Sequence, residues 1–465
     1  MSTPEPHVAV VHMYAKRADI FPREVSGRYA TLRWFFVFLT QAVFYGLPWM
    51  QWNGRQAVLF DLVARKFYIF GIVLWPQDFI WLAALLIISA YALFLFTAVA
   101  GRVWCGFTCP QTVYTEIFMW IERKVEGARS ARMRLAKQPW TAEKITKRSV
   151  KHALWIAVAL WTGITFVGYF TPIFTLFGKI ATLSLGPWEW WWVLFYAFAT
   201  YGNAGWMREQ VCKYMCPYAR FQSAMFDKDT LIISYDAVRG EPRGALGKKD
   251  AQGERTLGDC IDCSMCVQVC PTGIDIRNGL QYECIGCAAC VDACNSVMDK
   301  IGKPRGLVRY ATDHAMKHRW SLAQVRARVF RPRVLIYTAL LGVIVTVFFT
   351  TLYLRTPLKL DVIRDRGSMG REVEDGRIEN VYRLQVMNTT EQAHRYRIKV
   401  EGLHDAHVFP KEFDIEGTTS RQVPVRVQVE HGHGQTGSNR IFFELEAVDD
   451  PGLKVKEKAV FFVPR

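Results

Sequence analysis

Hydrophobic positions follow two different patterns along this chain, and the change between them comes at Leu354. Before that residue, apolar runs of about 19 or more largely uncharged residues approach the ~20 that an α-helix needs to cross a bilayer. Buried helices of soluble proteins rarely give so many such runs, so the pattern predicts an α-helical integral membrane protein with about five transmembrane helices. The runs are Trp34–Trp52, Phe79–Ala100, Ala153–Phe177, Trp188–Trp206 and Val334–Leu354.

Beyond Leu354 the apolar residues alternate with polar ones, and the segments are joined by turn-forming sequences such as Glu401-Gly402. Alternation with a period of two is typical of short β-strands that have one buried face. About a hundred residues of this kind suit an immunoglobulin-like β-sandwich. The alternating positions are Tyr382, Leu384 and Val386, then Tyr396, Ile398 and Val400, then Val423, Val425, Val427 and Val429, and finally Ile441, Phe443 and Leu445.

The net charge of +16 is unevenly distributed along the chain. Residues 355–465 carry equal numbers of basic and acidic side chains, so the excess belongs to the part before them. Lys and Arg are concentrated in residues 101–152 and 207–333 and are sparse in 53–78 and 178–187. By the positive-inside rule, we expect the N-terminus and residues 207–333 in the cytoplasm and the C-terminal region in the periplasm. Contact with anionic membrane lipid accounts for the basic surface, and no nucleic-acid partner is expected.

Eight of the twelve cysteines form two nearly identical runs in which three cysteines recur at every third position and a fourth follows four positions later. This spacing is typical of two-cluster ferredoxins, where the fourth cysteine of each run ligates the other cluster. Structural zinc and a disulfide framework fit less well, because zinc sites separate paired cysteines by a longer loop and disulfide frameworks belong to small secreted domains. The sequence predicts two [4Fe–4S] clusters, one ligated by Cys260, Cys263, Cys266 and Cys294 and the other by Cys284, Cys287, Cys290 and Cys270.

The remaining four cysteines form two CxxxCP motifs, each directly after an apolar run. Their spacing places both sulfurs of a pair on one helical face, and the following proline tends to end the helix. Phe107 and Tyr214 occupy the same place inside the two motifs, which suggests the duplication of a two-helix unit. Soft thiolates select Cu(I), zinc or iron–sulfur centres, and spacing alone leaves the metal open. The predicted metal ligands are Cys105, Cys109, Cys212 and Cys216.

In combination, the apolar runs, the twin CxxxCP motifs, the two-cluster ferredoxin insert and the strand-rich C-terminal region resemble the cytochrome c oxidase accessory proteins of the CcoG/FixG/RdxA type. The resemblance spans nearly the whole chain, and the combination is specific although each part alone is not. The membrane part is also similar to the wider group of membrane polyferredoxins. The resemblance implies a multi-pass protein of the bacterial cytoplasmic (inner) membrane.

The resemblance further implies reduction of Cu(II) to Cu(I), with copper at the four CxxxCP cysteines as catalytic residues and electrons supplied by the clusters. It also implies a role in copper delivery and in the assembly of cbb-type cytochrome c oxidase, with oxidase subunits or copper chaperones as partners. The chemistry is coherent, because thiolates favour Cu(I) whereas Cu(II) prefers nitrogen and oxygen ligands. The electron donor is left open.

Two other functions fit the same sequence features. One is a quinol-linked membrane conduit that passes electrons to another redox protein and binds no copper. The other is a non-enzymatic scaffold for oxidase assembly, in which the C-terminal β-sandwich on the outer face of the membrane binds oxidase subunits and the clusters are structural. In each case the predicted domains are a cytoplasmic tail (1–33), a four-helix membrane domain (34–220), a cytoplasmic 2[4Fe–4S] ferredoxin-like α+β domain (221–333), a fifth transmembrane helix (334–354) and a periplasmic immunoglobulin-like domain (355–465).

Overall fold

The computed structural model describes residues 19–246, 257–365, 367, 370–373 and 376–464. The first part of the predicted cytoplasmic tail, residues 1–18, therefore lies outside the described residues. Within these ranges the α-helices are α1 (Arg28–Gly46), α2 (Phe79–Ala100), α3 (Val103–Phe107), α4 (Pro110–Glu126), α5 (Arg129–Lys137), α6 (Ala142–Val167), α7 (Ile173–Ala181), α8 (Pro187–Thr200), α9 (Pro217–Met225), α10 (Ala237–Gly240), α11 (Met265–Gln268), α12 (Ala289–Lys300), α13 (Asp313–His318), α14 (Leu322–Ala327) and α15 (Pro332–Tyr353).

The strands in the same ranges are β1 (Gln51–Trp52), β2 (Arg55–Gln56), β3 (Val58–Asp61), β4 (Lys66–Ile69), β5 (Ile72–Leu74), β6 (Ile232–Tyr235), β7 (Val308–Ala311), β8 (Leu358–Arg364), β9 (Arg371–Glu372), β10 (Ile378–Asn388), β11 (His394–Glu401), β12 (His407–Phe409), β13 (Glu412–Ile415), β14 (Ser420–Val429), β15 (Gly437–Ala447) and β16 (Lys454–Val463). Short 3₁₀ turns lie at Leu47–Trp49, Pro76–Asp78, Ile276–Asn278 and Arg328–Phe330, and π-helical turns at Tyr201–Met207 and Val211–Met215.

Four helical stretches among the described residues are long and apolar enough to cross a membrane. Their surfaces are largely exposed in the isolated chain, as expected for side chains that contact lipid rather than protein. The stretches are Arg28–Trp49, Pro76–Ala100, Ala142–Val167 and Pro332–Tyr353. They correspond to the first, second, third and fifth apolar runs of the sequence.

The third run was placed wrongly by hydropathy. Its helix α6 begins at Ala142, because lysines such as Lys144 and Lys151 form a basic first half that hydropathy does not detect. It ends at Val167, and the segment from Gly168 to Pro172 is not helical. Proline disfavours helix for the residue before it, and the remaining apolar residues of the run start the separate helix α7.

The fourth run, Trp188–Trp206, is divided between α8 and the π-helical turn Tyr201–Met207. Small residues explain both the close packing of α6 against α8 and the irregular helical turn that follows α8. A Cβ on Gly163 of α6 would lie 2.3 Å from the carbonyl oxygen of Val193, so α6 and α8 cross at backbone contact. A Cβ on Gly205 would lie 3.1 Å from the indole of Trp155. The number of membrane crossings therefore stays a prediction.

The described residues form two compact units, and the first consists of those within 1–46, 89–167 and 180–341. Its ferredoxin part is closed by the antiparallel pair β6 and β7, in which Ile232 pairs with Ala311 and Tyr235 with Val308. Residues of these strands pack with α12 and with cysteines of both runs. The predicted mixture of α and β structure in this region is confirmed.

The second unit consists of the described residues within 47–88, 168–179 and 342–465. Two antiparallel sheets, with orders β12-β14-β10-β8 and β13-β11-β15-β16, face each other across an apolar core, and β9 extends β10. The alternating residues predicted to point inward do so: Tyr382, Leu384, Val425, Val427, Phe443 and Leu445 are fully buried. Near this core, Lys359 forms an ion pair with the buried Asp78, and Arg355 donates to the carbonyl of Val73 at 3.0 Å. The small sheet β3-β4-β5 was not predicted.

Candidate functional site

The first cysteine set encloses a cavity at the start of α11. Cys260, Cys263 and Cys266 come from the loop and the helix, and Cys294 comes from α12. Tyr235 of β6 and Arg277 complete the wall. Cys263 is exposed, whereas Cys260 and Cys266 are buried. The structure thus brings together the four cysteines that the crossed spacing assigns to one cluster.

A second cavity is lined by the other set, Cys270, Cys284, Cys287 and Cys290, together with Cys266. Cys270 belongs to the first run in sequence but lies with the second in space. Cys266 also borders this cavity, which shows that the two cavities are adjacent. The grouping agrees with the predicted exchange of the fourth cysteine between runs, whereas the role of each residue as an iron ligand stays a prediction.

The backbone of both loops curls in the same way around these cavities. In each run, the residue before the second cysteine and the residue after it have positive φ: 52° and 56° at Asp262 and Ser264, and 69° and 57° at Gly286 and Ala288. Such conformations turn successive N–H groups toward one side and form an anion-binding concavity. The N–H groups of Gly286 and Ala289 donate to the sulfurs of Cys284 and Cys287. The loops therefore suit an anionic thiolate-ligated cluster.

Burial raises the pKa of Cys266 to about 11, and it raises the pKa of Cys284 and of Cys294 to about 12. The metal-free thiols are therefore protonated at neutral pH, and cluster assembly must release these protons. Within the described ranges, no three His, Cys, Asp or Glu side chains are placed to share a single metal ion. A cubane cluster has a different ligand requirement, because each of its iron atoms binds one cysteine rather than several side chains. The residues present fit two [4Fe–4S] clusters.

The two CxxxCP motifs have the same local geometry. The N–H of Cys109 donates to the carbonyl of Trp104 at 2.9 Å, and that of Cys216 donates to Val211 at 2.8 Å, so each motif is closed by a bond to the fifth residue before it. The proline then begins a helix, α4 or α9, instead of merely ending one. The two cysteines of a motif thus lie on either side of a break between helical segments, and the expectation of one continuous helical face was wrong. The suggested duplication agrees with this geometry.

The structure also brings the four CxxxCP cysteines together. Burial raises the pKa of Cys105 to about 12, and the neighbouring Cys109, Cys212 and Cys216 add to this increase. Burial likewise raises the pKa of Cys212 to about 11, with smaller effects from Cys109 and Cys216. Arg102 acts in the opposite direction on both Cys105 and Cys212. We call Cys105, Cys109, Cys212 and Cys216 the membrane quartet.

The membrane quartet lies against the second cluster cavity. Cys105 and Cys212 pack on the buried residues around Cys287. Two glycines allow this approach: a Cβ on Gly106 would lie 2.6 Å from the carbonyl oxygen of Gly286, and a Cβ on Gly286 would lie 3.0 Å from the carbonyl oxygen of Arg102. The CxxxCP loop and the cluster loop are therefore in backbone contact.

Three further side chains hold the cluster loop in this position. Arg102 donates to the carbonyl oxygen of Cys284 at 3.1 Å, Arg33 donates to that of Cys287 at 2.6 Å, and the hydroxyl of Tyr310 donates to Gly286. None of these three side chains, and neither of the two glycines, was predicted from the sequence. Glycine directly after Cys105 and directly before Cys287 was a usable signal, because glycine next to a metal ligand often marks close backbone approach. The arginines gave no local signal.

Comparison with protein families agrees with this arrangement. Residues 207–313 match the family described as "4Fe-4S dicluster domain", and residues 82–127, which include Cys105 and Cys109, match "4Fe-4S binding domain". Residues 348–464 match an IG-like fold at the C-terminus of FixG. With its apolar helices, the protein is a membrane-bound iron–sulfur electron-transfer protein.

The chain belongs to the FixG/RdxA family. It is 40% identical to Protein RdxA of Cereibacter sphaeroides over 94% of this chain and 92% of that protein. It is also 40% identical to Nitrogen fixation protein FixG of Rhizobium meliloti, over 84% of this chain and 80% of that protein. Among solved structures it is similar to a FixG-related protein from Vibrio parahaemolyticus, at 25% identity with a TM-score of 0.21, over 23% of this chain and 96% of that one.

Proposed function

We propose that this protein passes electrons through its two clusters to the membrane quartet and there reduces Cu(II) to Cu(I). The observation that carries the proposal is the packing of Cys105 and Cys212 against the residues around Cys287. Thiols that soft metals prefer are thereby placed beside an iron–sulfur cavity. Each reaction transfers one electron, from a reduced cluster to Cu(II).

The roles of the two clusters follow from contact. In this proposal the cavity of Cys260, Cys263, Cys266 and Cys294 stores one electron and exchanges it with the second cavity, which it adjoins. The cavity of Cys270, Cys284, Cys287 and Cys290 borders the membrane quartet and delivers electrons to it. Cys266 lines both cavities and shortens the step between the clusters.

Copper would be held as substrate by pairs of thiolates. Cu(I) accepts two sulfur ligands, whereas Cu(II) prefers nitrogen and oxygen in tetragonal geometry. A buried thiolate pair therefore favours the reduced ion.

The proposal also specifies the membrane location of the protein and the use of the Cu(I) that it produces. The lysine and arginine distribution supports a cytoplasmic ferredoxin part and a periplasmic sandwich in a bacterial inner membrane crossed five times. The resemblance to the CcoG/FixG/RdxA type supports Cu(I) delivery to cbb-type cytochrome c oxidase, with oxidase subunits or copper chaperones as partners. Reporter fusions after Ala245 and Val400 should score on opposite sides of the membrane, and the same side for both would contradict this topology.

The decisive experiment compares the full-length protein with Cys105→Ser/Cys109→Ser and Cys212→Ser/Cys216→Ser. Serine replaces a soft thiolate by a weakly coordinating hydroxyl of similar size, so we expect Cu(I) binding and Cu(II) reduction to fall sharply while iron and sulfide content stay unchanged. Anaerobically reduced protein is mixed with Cu(II), and Cu(I) is followed with a specific chelator. Thr108→Ala is a matched control, because this residue lies in the same loop and its hydroxyl bonds only locally to Trp104 at 3.3 Å.

Bound copper is measured in parallel, because exposed reduced clusters reduce free Cu(II) nonspecifically. Unchanged copper content and unchanged reduction in both double variants would contradict the proposal and favour the conduit without copper. Wild-type protein that contains clusters but neither binds nor reduces copper would favour the same alternative. Deletion of residues 360–465 separates the scaffold function, because redox activity should persist without the sandwich.

A further inference from the structure

A large cavity lies between one face each of α1, α4 and α6. Its volume is about 760 Å³, which is within the range of small-molecule sites. α1 supplies residues at helical spacing from Trp34 to Tyr45, and the walls are mostly aromatic and aliphatic. Two of the three helices belong to stretches long and apolar enough to cross a membrane. The lining residues are Glu24, Trp34, Val37, Phe38, Gln41 and Tyr45, with Ile117, Trp120 and Arg123 of α4 and Ala157, Val158 and Trp161 of α6.

One end of this cavity adjoins the redox centre. Glu24, Trp34 and Arg123 also line a second, smaller cavity of about 70 Å³, whose lining includes Cys212 and Cys287. The same three residues thus belong both to the large apolar cavity and to the cavity lined by two cysteines. One of these cysteines is in the membrane quartet and the other is in the second cluster set. A ligand head at this end would lie next to the electron carriers.

Arg123 lies at that end and lines both cavities. Its side chain is 14% exposed, and its nearest carboxylates, Glu24 at 3.8 Å and Glu116 at 3.7 Å, are beyond hydrogen-bond distance. Its Nε has no hydrogen-bond acceptor within the described residues. A buried donor without an acceptor costs free energy. An oxygen-bearing ligand in the cavity would supply the missing acceptor.

We propose that this cavity binds a membrane hydroquinone, which is the electron donor to the clusters. The aromatic wall formed by Trp34 and Trp120 receives the ring, and the apolar part toward Trp161 receives the isoprenoid chain. Arg123 donates a hydrogen bond to one ring oxygen. A phospholipid would fill the apolar part equally well, but it has no redox chemistry to use beside Cys287. The inference rests on the proposed role of the clusters as electron carriers, not on copper.

The reaction balances without any further reagent. Oxidation of the hydroquinone to the quinone releases two electrons and two protons, and each cluster accepts one electron. Glu24 lies at the rim of the cavity with its side chain 74% exposed, so it can accept a ring proton and pass it to water. Arg123 acts only by orienting the ring.

The test uses the full-length protein in detergent, with decylubiquinone for binding and its reduced form for electron transfer. Ala157→Trp fills the cavity at an exposed position of α6, and Arg123→Gln removes the charge while keeping a polar side chain. We expect either change to weaken binding, measured by calorimetry, by about tenfold or more. The extent of cluster reduction by the hydroquinone, followed by electron paramagnetic resonance, should fall in parallel. Ala90→Trp is the matched control, because Ala90 is an exposed alanine of α2 outside the cavity.

Several outcomes would overturn the inference. Wild-type protein whose clusters are reduced by dithionite but not by the hydroquinone has another donor. Binding that survives Ala157→Trp, or that falls equally in Ala90→Trp, takes place elsewhere. Binding without cluster reduction identifies a lipid groove. Failure of copper reduction in protein whose clusters accept electrons from hydroquinone would instead contradict the copper function and leave this inference standing.

Discussion

The ferredoxin part between β6 and β7 and the β-sandwich beyond Leu358 fill their interiors by different means. The sandwich buries a continuous set of aliphatic and aromatic side chains, many of them fully inaccessible. The ferredoxin part has small cores composed of cysteines, alanines and a few aliphatic residues, and two of its cavities are lined by cysteines. Apolar burial stabilises the first region, whereas the second depends on what its cysteines bind.

Removal of iron should therefore have the largest and most local effect. Chelation under oxidising conditions leaves eight thiols around two cavities, seven of them buried or half-buried, and the described residues between 232 and 311 should lose most of their protection from amide hydrogen exchange. The strands β10, β14 and β15 should keep their protection. Hydrogen exchange with mass spectrometry on holo and iron-free protein measures both regions at once. Equal loss in both would contradict the difference between them.

The opposite perturbation is a large-to-small change in the sandwich core. Phe443 is fully buried and packs edge-on against Tyr382 with ring centroids 5.0 Å apart. Phe443→Ala should lower the free energy of unfolding of this region by about 3–5 kcal/mol. Iron content and the spectra of the clusters should not change. Val460→Ala at a more exposed position of the same sheet is the control, and loss of iron in Phe443→Ala would refute the independence of the two regions.

A smaller effect is expected from a substitution of Gly106, where the backbone of the CxxxCP loop contacts the backbone of the cluster loop. The methyl group of Gly106→Ala cannot fit 2.6 Å from the oxygen of Gly286, so the CxxxCP loop must move away from the cluster loop. Electron transfer from the clusters to copper should slow by about tenfold or more, because a 1 Å misplacement can cost about 10²-fold. Stopped-flow oxidation of pre-reduced protein by Cu(II) measures the rate. Gly202→Ala is the control, since a Cβ there meets no atom within 4 Å.

The smallest expected effect is a pH dependence confined to the sandwich. Burial by itself raises the pKa of Glu379, but hydrogen bonds from Gln428 and Arg371 outweigh burial and hold the pKa below its usual range. The carboxylate therefore contributes stability above the unfolded pKa of about 4.3, and the contribution is lost as the pH falls through the lower folded value. Glu379→Gln should flatten the decline in protection of β10 below about pH 4.5. If the decline in protection of β10 is unchanged in Glu379→Gln, other carboxylates cause it.

Local spacing explains why much of this protein could be predicted. The inward strand residues depend on a period of two and are buried as predicted. The crossed cysteine sets depend on intervals within two short runs, and the residues of each set line a common cavity, whereas their roles as iron ligands stay a prediction. Hydropathy located four membrane helices but misplaced the ends of α6 and did not detect the π-helical turn after α8. It averages over many residues and is insensitive to glycine contacts and to basic residues at a helix start.

The sequence by itself determined the number and sorting of the cysteines, the membrane character and the strand-rich C-terminal region, because each of these is encoded in intervals of a few residues. Only the tertiary structure decided that Gly106 meets Gly286, that Arg102 and Arg33 bind the cluster loop, and that α1, α4 and α6 enclose a cavity. These contacts join residues far apart in the chain. They arise from side-chain packing and backbone hydrogen bonding between elements, for which no short sequence pattern exists.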